Sequence, residues 1–216
     1  MRRMPDDRKF QRQRDRLIES LRENGITDER VLSAIAAVPR HKFVEQALQT
    51  RAYEDEALPI GMSQTISQPF TVAYQTMLLS PKEGDRILEI GTGSGYQAAV
   101  LCEMGARVYS IERHRPLLER TRRILKSLGY RVVAKVGDGT LGWESFAPFD
   151  GIVVTAGAGD VPQPLLEQLR VEGDQGQPGG RLVIPIGDAR GQRMNVFRRV
   201  AVNEYEREEK HIFRFV

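Results

Sequence analysis

The 216-residue chain holds one cysteine, one tryptophan and three histidines. It has no apolar run near the roughly 20 residues that a membrane span needs. With Cys102 alone, an internal disulfide and a cysteine-rich zinc site are excluded. His41, His114 and His211 lie far apart, with no His-x-x-x-His or Cys-x-x-Cys spacing, so no metal is expected. The first residues, Met1 to Lys9, are charged and lack an apolar h-region, so no secretory signal is expected. A reducing cytoplasm without a membrane partner is the predicted setting. A strong charge of one sign is missing too, since 32 basic against 29 acidic residues leave +3. The basic excess is local: residues 107 to 135 hold nine Lys or Arg and two acids, while Glu204, Glu206, Glu208 and Glu209 crowd the other end. No aromatics interleave the basic stretch to stack on bases, so it reads as a solvated helix face and no nucleic-acid partner is expected.

What is present is ordinary for one globular domain, with 40% hydrophobic and 28% charged residues. Residues 8–24 have the period of an amphipathic helix, with Phe10, Leu17, Ile18 and Leu21 on one side, stopped by Asn24-Gly25. Thr27 followed by Asp28 and Glu29 predicts an N-cap for a second helix, which carries Val31, Leu32, Ile35 and Val38 and ends at Pro39. A third short helix is expected over 43–48, then a loop from Tyr53 to Gly61, and a helix over about 70–79.

From residue 85 the rhythm changes. Strands are predicted at 86–90, 108–111, 132–136, 152–155 and 182–186, separated by helices at 95–104, 116–128 and 164–170. This alternation means a parallel sheet covered on both faces. Two strand-like runs at 193–202 and 210–216 have no helix between them and predict an antiparallel finish. The expected fold is α/β, doubly wound and mostly parallel, with an N-terminal helical addition over residues 1–80 and a Rossmann-like core over 81–216, in one domain.

The chemical signal sits beyond the first strand of that sheet, where such folds bind ligands. Glu89-Ile-Gly-Thr-Gly-Ser-Gly-Tyr96 places Gly91, Gly93 and Gly95 between strand and helix. Glycine there allows a tight turn and lets backbone approach a ligand closely. Glu112 ends the next strand, 21 residues after Gly91, where a carboxylate accepts hydrogen bonds from ribose hydroxyls. Together they predict a nucleoside. The loop alone leaves two choices, since Gly93-x-Gly95-x-x-Ala98 also meets the loose dinucleotide pattern. The Gly-x-Gly-x-Gly form after a Glu-bearing strand resembles the S-adenosylmethionine loop of class I methyltransferases.

A second string, Gly137-Asp-Gly-Thr-Leu-Gly-Trp143 through Ala147-Pro-Phe-Asp-Gly-Ile152, begins as the third strand ends. Asp138 there could reach an adenine amino group, and Gly139 leaves room for the ring. Trp143 is expected to pack as a plug rather than stack on that ring. This string resembles the signature of protein-L-isoaspartate O-methyltransferases. So do Val38-Pro-Arg-His-Lys-Phe-Val44, Gln64-Thr-Ile-Ser-Gln-Pro69 and Gly180-Arg-Leu-Val-Ile-Pro-Ile-Gly187, which extends the resemblance from about residue 30 to the end.

The resemblance implies an S-adenosylmethionine-dependent repair enzyme that acts on isoaspartyl proteins and peptides; a monomer is expected, though no residue pattern specifies the oligomeric state. It would methylate the α-carboxylate of L-isoaspartyl residues and leave S-adenosylhomocysteine. It implies that Ser67 is the active-site serine, and that Thr65, Ile66, Glu89, Gly91, Thr92, Gly93, Gly95, Glu112, Arg113, Asp138 and Gly139 hold the cofactor. Ser67, Gln68, Arg214 and Val216 would hold substrate. The plainer alternative is that Ser67 caps the following helix, and both roles are compatible because a helix N-terminus attracts anions.

Cys102, inside an apolar helix, reads as a small buried residue rather than a nucleophile, and His41 as structural or at the surface. Residues 171–177 read as a surface insertion, and Thr155-Ala-Gly-Ala-Gly-Asp160 departs from the family's Thr-Ala-Ala-Ala-Pro. Asn24-Gly25 predicts a place where the chain builds up its own substrate, because glycine hinders ring closure least. Rival readings are a methyltransferase acting on RNA or a small molecule, a nicotinamide-dependent dehydrogenase, and a module that binds the cofactor without turnover.

Overall fold

The computed structural model describes residues 7–173, 176–188 and 190–213. Helix α1 (Asp7–Glu23) buries Phe10, Leu17 and Leu21. It closes as the sequence requires at Asn24-Gly25. Gly25 takes φ +98°, its amide donates to Arg22 O at 3.0 Å, and Ile26 donates to Leu21 O at 3.0 Å. This paired closure needs a left-handed residue and so a glycine. Helix α2 (Glu29–Ala37) is capped by Asp28, whose carboxylate accepts from the Arg30 amide, and not by Thr27. Thr27 stands one residue too early and turns its hydroxyl to Met77 Sδ.

The single helix expected over 43–48 is two 3₁₀ turns, Arg40–Phe43 and Gln46–Arg51. The loop expected before residue 64 contains half of a β-hairpin, β1 (Leu58–Gly61) and β2 (Gln64–Ile66). Its turn residues Met62 and Ser63 both have positive φ, 55° and 56°, the geometry that matches a hairpin's right-handed twist. Helix α3 (Pro69–Leu79) follows.

Then come β3 (Arg86–Ile90), α4 (Tyr96–Glu103), β4 (Arg107–Glu112), α5 (Arg115–Ser127), β5 (Val132–Val136), β6 (Gly151–Val154), α6 (Gln163–Glu167), β7 (Arg181–Asp188), β8 (Gly191–Ala201) and β9 (Glu204–Phe213). The seven-stranded sheet runs β5-β4-β3-β6-β7-β8-β9, parallel through β7 and antiparallel beyond. The order reverses between β3 and β6, the switch point at which such sheets bind ligands beyond their carboxyl ends.

The last strand starts at Glu204, earlier than residue 210, so the glutamates of that stretch belong to a strand. Arg198 on β8 meets Glu206 at 2.9 Å, and Arg193 reaches Glu209 at 3.5 Å. Arg214 and Val216 lie outside the described residues.

One apolar cluster joins α1 and α2 to α3, α4 and one face of the sheet. The other face packs Phe149, Leu165, Leu166, Leu169 and Leu182. Trp143 rims this second cluster, edge-on to Phe146 at 4.9 Å, with Lys135 Nζ 4.6 Å from its ring. Cys102 is half-buried on α4, and burial pushes its thiol up to about 12. His41 is fully buried rather than at the surface. It stacks on Phe10 at 4.1 Å and bonds the Tyr53 hydroxyl through Nδ1 at 2.8 Å.

Candidate active site

The three glycines after β3 all take positive φ, 96°, 52° and 87° at Gly91, Gly93 and Gly95. A Cβ on Gly91 would stand 2.6 Å from Thr155 Oγ1, and one on Gly95 2.6 Å from Thr121 Cγ2. The loop is pinned as well as tight: Thr155 Oγ1 donates to Gly91 O and Thr121 Oγ1 to Gly93 O, each at 2.6 Å. Glu112 at the end of β4 accepts from the Gly93 amide through Oε2 and from the His114 amide through Oε1, both at 2.9 Å. Each oxygen keeps a further lone pair. Glu112 therefore both ties the loop down and presents an acceptor edge.

The glycine loop, the ends of β4 and β5, the segment Gln64–Gln68 and the start of α3 enclose a cavity of about 250 Å³. Of the expected cofactor residues, Thr65, Ile66, Gly91, Thr92, Gly93, Glu112, Arg113 and Gly139 line it, as do Ser67 and Gln68. Gly139 has a Cβ position 2.3 Å from Ile90 Cγ2, so only glycine leaves the wall flat there. Three expected residues are not in the wall. Gly95 turns into α4 and packs on Thr121 and Leu125. Asp138 is exposed and caps its own turn, accepting from the Thr140 amide and hydroxyl, and these bonds hold its carboxyl below the usual range. Glu89 is fully buried behind the loop. Strand alternation turns it from the cavity, where Ile90 points, toward its β4 partner Ser110.

Ser67 does not cap α3. The N-cap position is Gln68, without a side-chain bond, and the first-turn amide of Phe70 is taken by Asp55 Oδ1 at 2.7 Å. An acid 15 residues before Phe70 thus fills the capping role expected of Ser67, and among the described residues the Ser67 hydroxyl keeps no partner in the protein. Sequence reasoning missed Tyr96 and Gln97 on α4, Thr71 on α3 and Thr155 after β6. Gln97 donates to Thr76 Oγ1 at 2.9 Å and, among the described residues, keeps a buried carbonyl oxygen without a partner. Thr155 alone carried a readable signal, since it directly follows a parallel strand.

A mostly parallel seven-stranded sheet, with a pinned glycine loop and a cavity-facing acid at its switch point, is the class I methyltransferase fold. Residues 12–216 match the family described as protein-L-isoaspartate(D-aspartate) O-methyltransferase, and the chain belongs to that family. The protein-L-isoaspartate O-methyltransferase of Salinibacter ruber is 66% identical over 214 residues, 98% of this chain and 93% of its own. That of Christiangramia forsetii is 49% identical over 214 residues, 99% and 97% of the two chains. A solved structure described by the same activity is similar at 30% identity and TM-score 0.82 over 94% of this chain, which spans 65% of that one. A Plasmodium falciparum structure, solved with S-adenosyl-L-homocysteine, shares the fold at 23% identity, TM-score 0.76, over 93% and 95% of the two chains.

Proposed function

We propose that this cavity takes S-adenosylmethionine and that Ser67 and Gln68, on its α3 side, receive an isoaspartyl carboxylate beside it. The observation that carries this reading is the opening of one cavity onto both the Glu112–glycine-loop wall and the partnerless Ser67 hydroxyl. The residues fit the cofactor. Glu112 offers its acceptor edge to the ribose, Gly137 and Gly139 leave a flat wall for adenine, and the buried Gln97 oxygen awaits a donor. When bound, S-adenosylmethionine supplies an electrophilic methyl on a sulfonium.

The protein need supply no base, because an ordinary carboxylate, with a pKa near 4, is already ionised at neutral pH. Its task is to position and to exclude water. Because attack joins an anion to a cation, charge disappears in the transition state, and a dry pocket favours that step. Ser67 donates one hydrogen bond to the substrate carboxylate. Asp55 occupies the Phe70 amide, so that amide is not part of the substrate site. The methyl ester then collapses through a succinimide toward normal aspartate, off the enzyme.

Action as a monomer in the cytoplasm belongs to this reading. A lone cysteine, which cannot form an internal disulfide, suits a reducing compartment. We also read the chain as one domain, since a single apolar cluster joins the N-terminal helices to the sheet.

Two peptides that differ only in carrying L-isoaspartyl or L-aspartyl at one position test the reading. With methyl-labelled cofactor, base-labile ester should form on the isoaspartyl peptide alone. Ser67→Ala should lower turnover about 10- to 100-fold while cofactor affinity holds, the worth of one hydrogen bond to a charged group. Label on neither peptide with the cofactor bound would favour an RNA or small-molecule substrate.

A further inference from the structure

Behind the glycine loop three side-chain oxygens form a chain. Ser110 Oγ lies 2.5 Å from Glu89 Oε2 and 2.6 Å from Thr92 Oγ1. Glu89 and Ser110 are fully buried and Thr92 is 3% exposed. Thr92 is the end of the chain that reaches the cavity wall.

The surroundings of Glu89 decide its charge. Glu112 on β4 is a like charge, Cys102 on α4 is a neutral thiol, and no cation acts on the Glu89 carboxyl among the described residues. The Ser110 hydroxyl and the Ala98 amide favour the anion, yet burial outweighs them and pushes the carboxyl up to about 8. Among the described residues its Oε1 has no hydrogen-bond partner at normal geometry, a cost that a neutral acid bears more easily than an anion.

Counting hydrogens then fixes the direction of the chain. Because Oε1 has no acceptor within reach, the proton of a neutral Glu89 sits on Oε2 and donates to Ser110, Ser110 passes its own hydrogen to Thr92 Oγ1, and the Thr92 hydrogen is left over. An ionised Glu89 reverses both links, so Thr92 donates inward and turns only lone pairs outward. The adenine reading puts the base toward Gly137 and Gly139. The cofactor's amino-acid end therefore falls on the other side of Glu112, over Gly91, Thr92 and Gln97.

We propose that neutral Glu89 orients the Ser110 and Thr92 hydroxyls so that Thr92 donates a hydrogen bond to the carboxylate at the cofactor's amino-acid end. Glu89 is then a positioning residue that acts through two hydroxyls. This rests on the reading that the cavity takes S-adenosylmethionine.

Calorimetric titration with S-adenosylhomocysteine and with 5′-methylthioadenosine, which lacks the amino-acid end, tests it between pH 6 and 9. Glu89→Gln, whose amide always donates to Ser110, should bind S-adenosylhomocysteine at pH 6.5 as the wild type does. Between pH 7 and 9 the wild type should weaken about tenfold relative to that variant, the worth of one hydrogen bond to a charged group. Taking the ratio cancels the ligand's own amine titration. Thr92→Val should weaken binding about tenfold at pH 7 and remove the pH-dependent difference, Thr92→Ser should restore both, and 5′-methylthioadenosine should show neither.

Equal pH profiles for the wild type and Glu89→Gln would overturn the proposal. So would full affinity in Thr92→Val, or the same pH effect with 5′-methylthioadenosine. Wild type that binds neither ligand would overturn the nucleoside reading of the cavity itself, and the proposal with it.

Discussion

Replacing Glu89 by glutamine should make the protein more stable as the pH rises, against the usual trend for a lost carboxylate. The side chain is fully buried, and burial raises its carboxyl from the ordinary 4.5 to about 8. Between those two values the folded chain holds a proton that the unfolded chain has released. The wild type therefore has its full stability from this group below about 4.5 and loses it as the pH climbs through 8. Each pH unit in that window is worth about 1.4 kcal/mol. From pH 5 to pH 8 the loss comes to about 3 kcal/mol. Glutamine keeps the shape and the donor to Ser110 and cannot ionise. The stability difference between Glu89→Gln and wild type should thus grow by about 3 kcal/mol across that range. For a chain of this size that is about 6 to 12 °C in melting temperature. Thermal and urea melts of both proteins at pH 5, 6, 7 and 8 read it, and taking the difference removes the titration of Asp28, Asp138 and every other shared group. Parallel curves would refute the reasoning, because they would mean that Glu89 is already ionised in the fold.

Three further outcomes follow from the geometry. Asp55→Ala removes the acceptor of the Phe70 amide at the start of α3 and should cost about 1 kcal/mol. Melting temperature reads that loss, and a raised KM for isoaspartyl peptide with unchanged cofactor affinity reads the displaced Ser67–Gln68 turn. Gly139→Ala sets a Cβ 2.3 Å from Ile90 Cγ2 in the cavity wall. It should weaken S-adenosylhomocysteine about tenfold by titration, a little over 1 kcal/mol. Arg40→Met strips the donors from Ala52 O and Glu56 O, which the buried guanidinium reaches at 2.7 and 3.1 Å beneath the Tyr96 ring. Orphaning two carbonyls costs about 2 to 6 kcal/mol. Relief of a cation that burial already pushes down to about 10 offsets part of it, so a net loss of about 2 to 4 kcal/mol is expected in urea melts.

How much of this was legible in the sequence depends on how local each cause is. The parallel sheet could be read because each of its strands is a short apolar run bounded by turn residues. The glycine loop could be read because its φ values are a demand of single residues. Glu112 followed from its place at the end of the next strand. The β1–β2 hairpin was hidden because its strands are three or four residues long and its turn is Met62-Ser63, without the Asn-Gly or Asp-Gly that announces such turns. The early start of β9 was hidden because it is polar on both faces, its glutamates answered by Arg193 and Arg198 on another strand. Asp55 is a cap from a distance, and nothing near Phe70 in the chain points to it. Glu89 was misplaced because a strand buried on both faces shows no alternation, so its pattern could not say which way the acid turns.

The closure of α1 bears on how this protein ages. Ring closure at Asn24 needs the Gly25 nitrogen as its nucleophile. In the folded chain that nitrogen donates to Arg22 O at 3.0 Å, within a helix end also held by the Ile26–Leu21 bond. The exposed Asn24 is therefore slowed by its backbone and not by any lack of access to water. Damage there proceeds only during the moments when the last turn of α1 comes undone, so its rate counts those openings. Isoaspartate at residue 24, measured by peptide mapping over days of storage, should then rise as a clock wound by helix fraying. A protein fitted to mend this lesion in others then carries, at its own surface, a record of how often its first helix lets go.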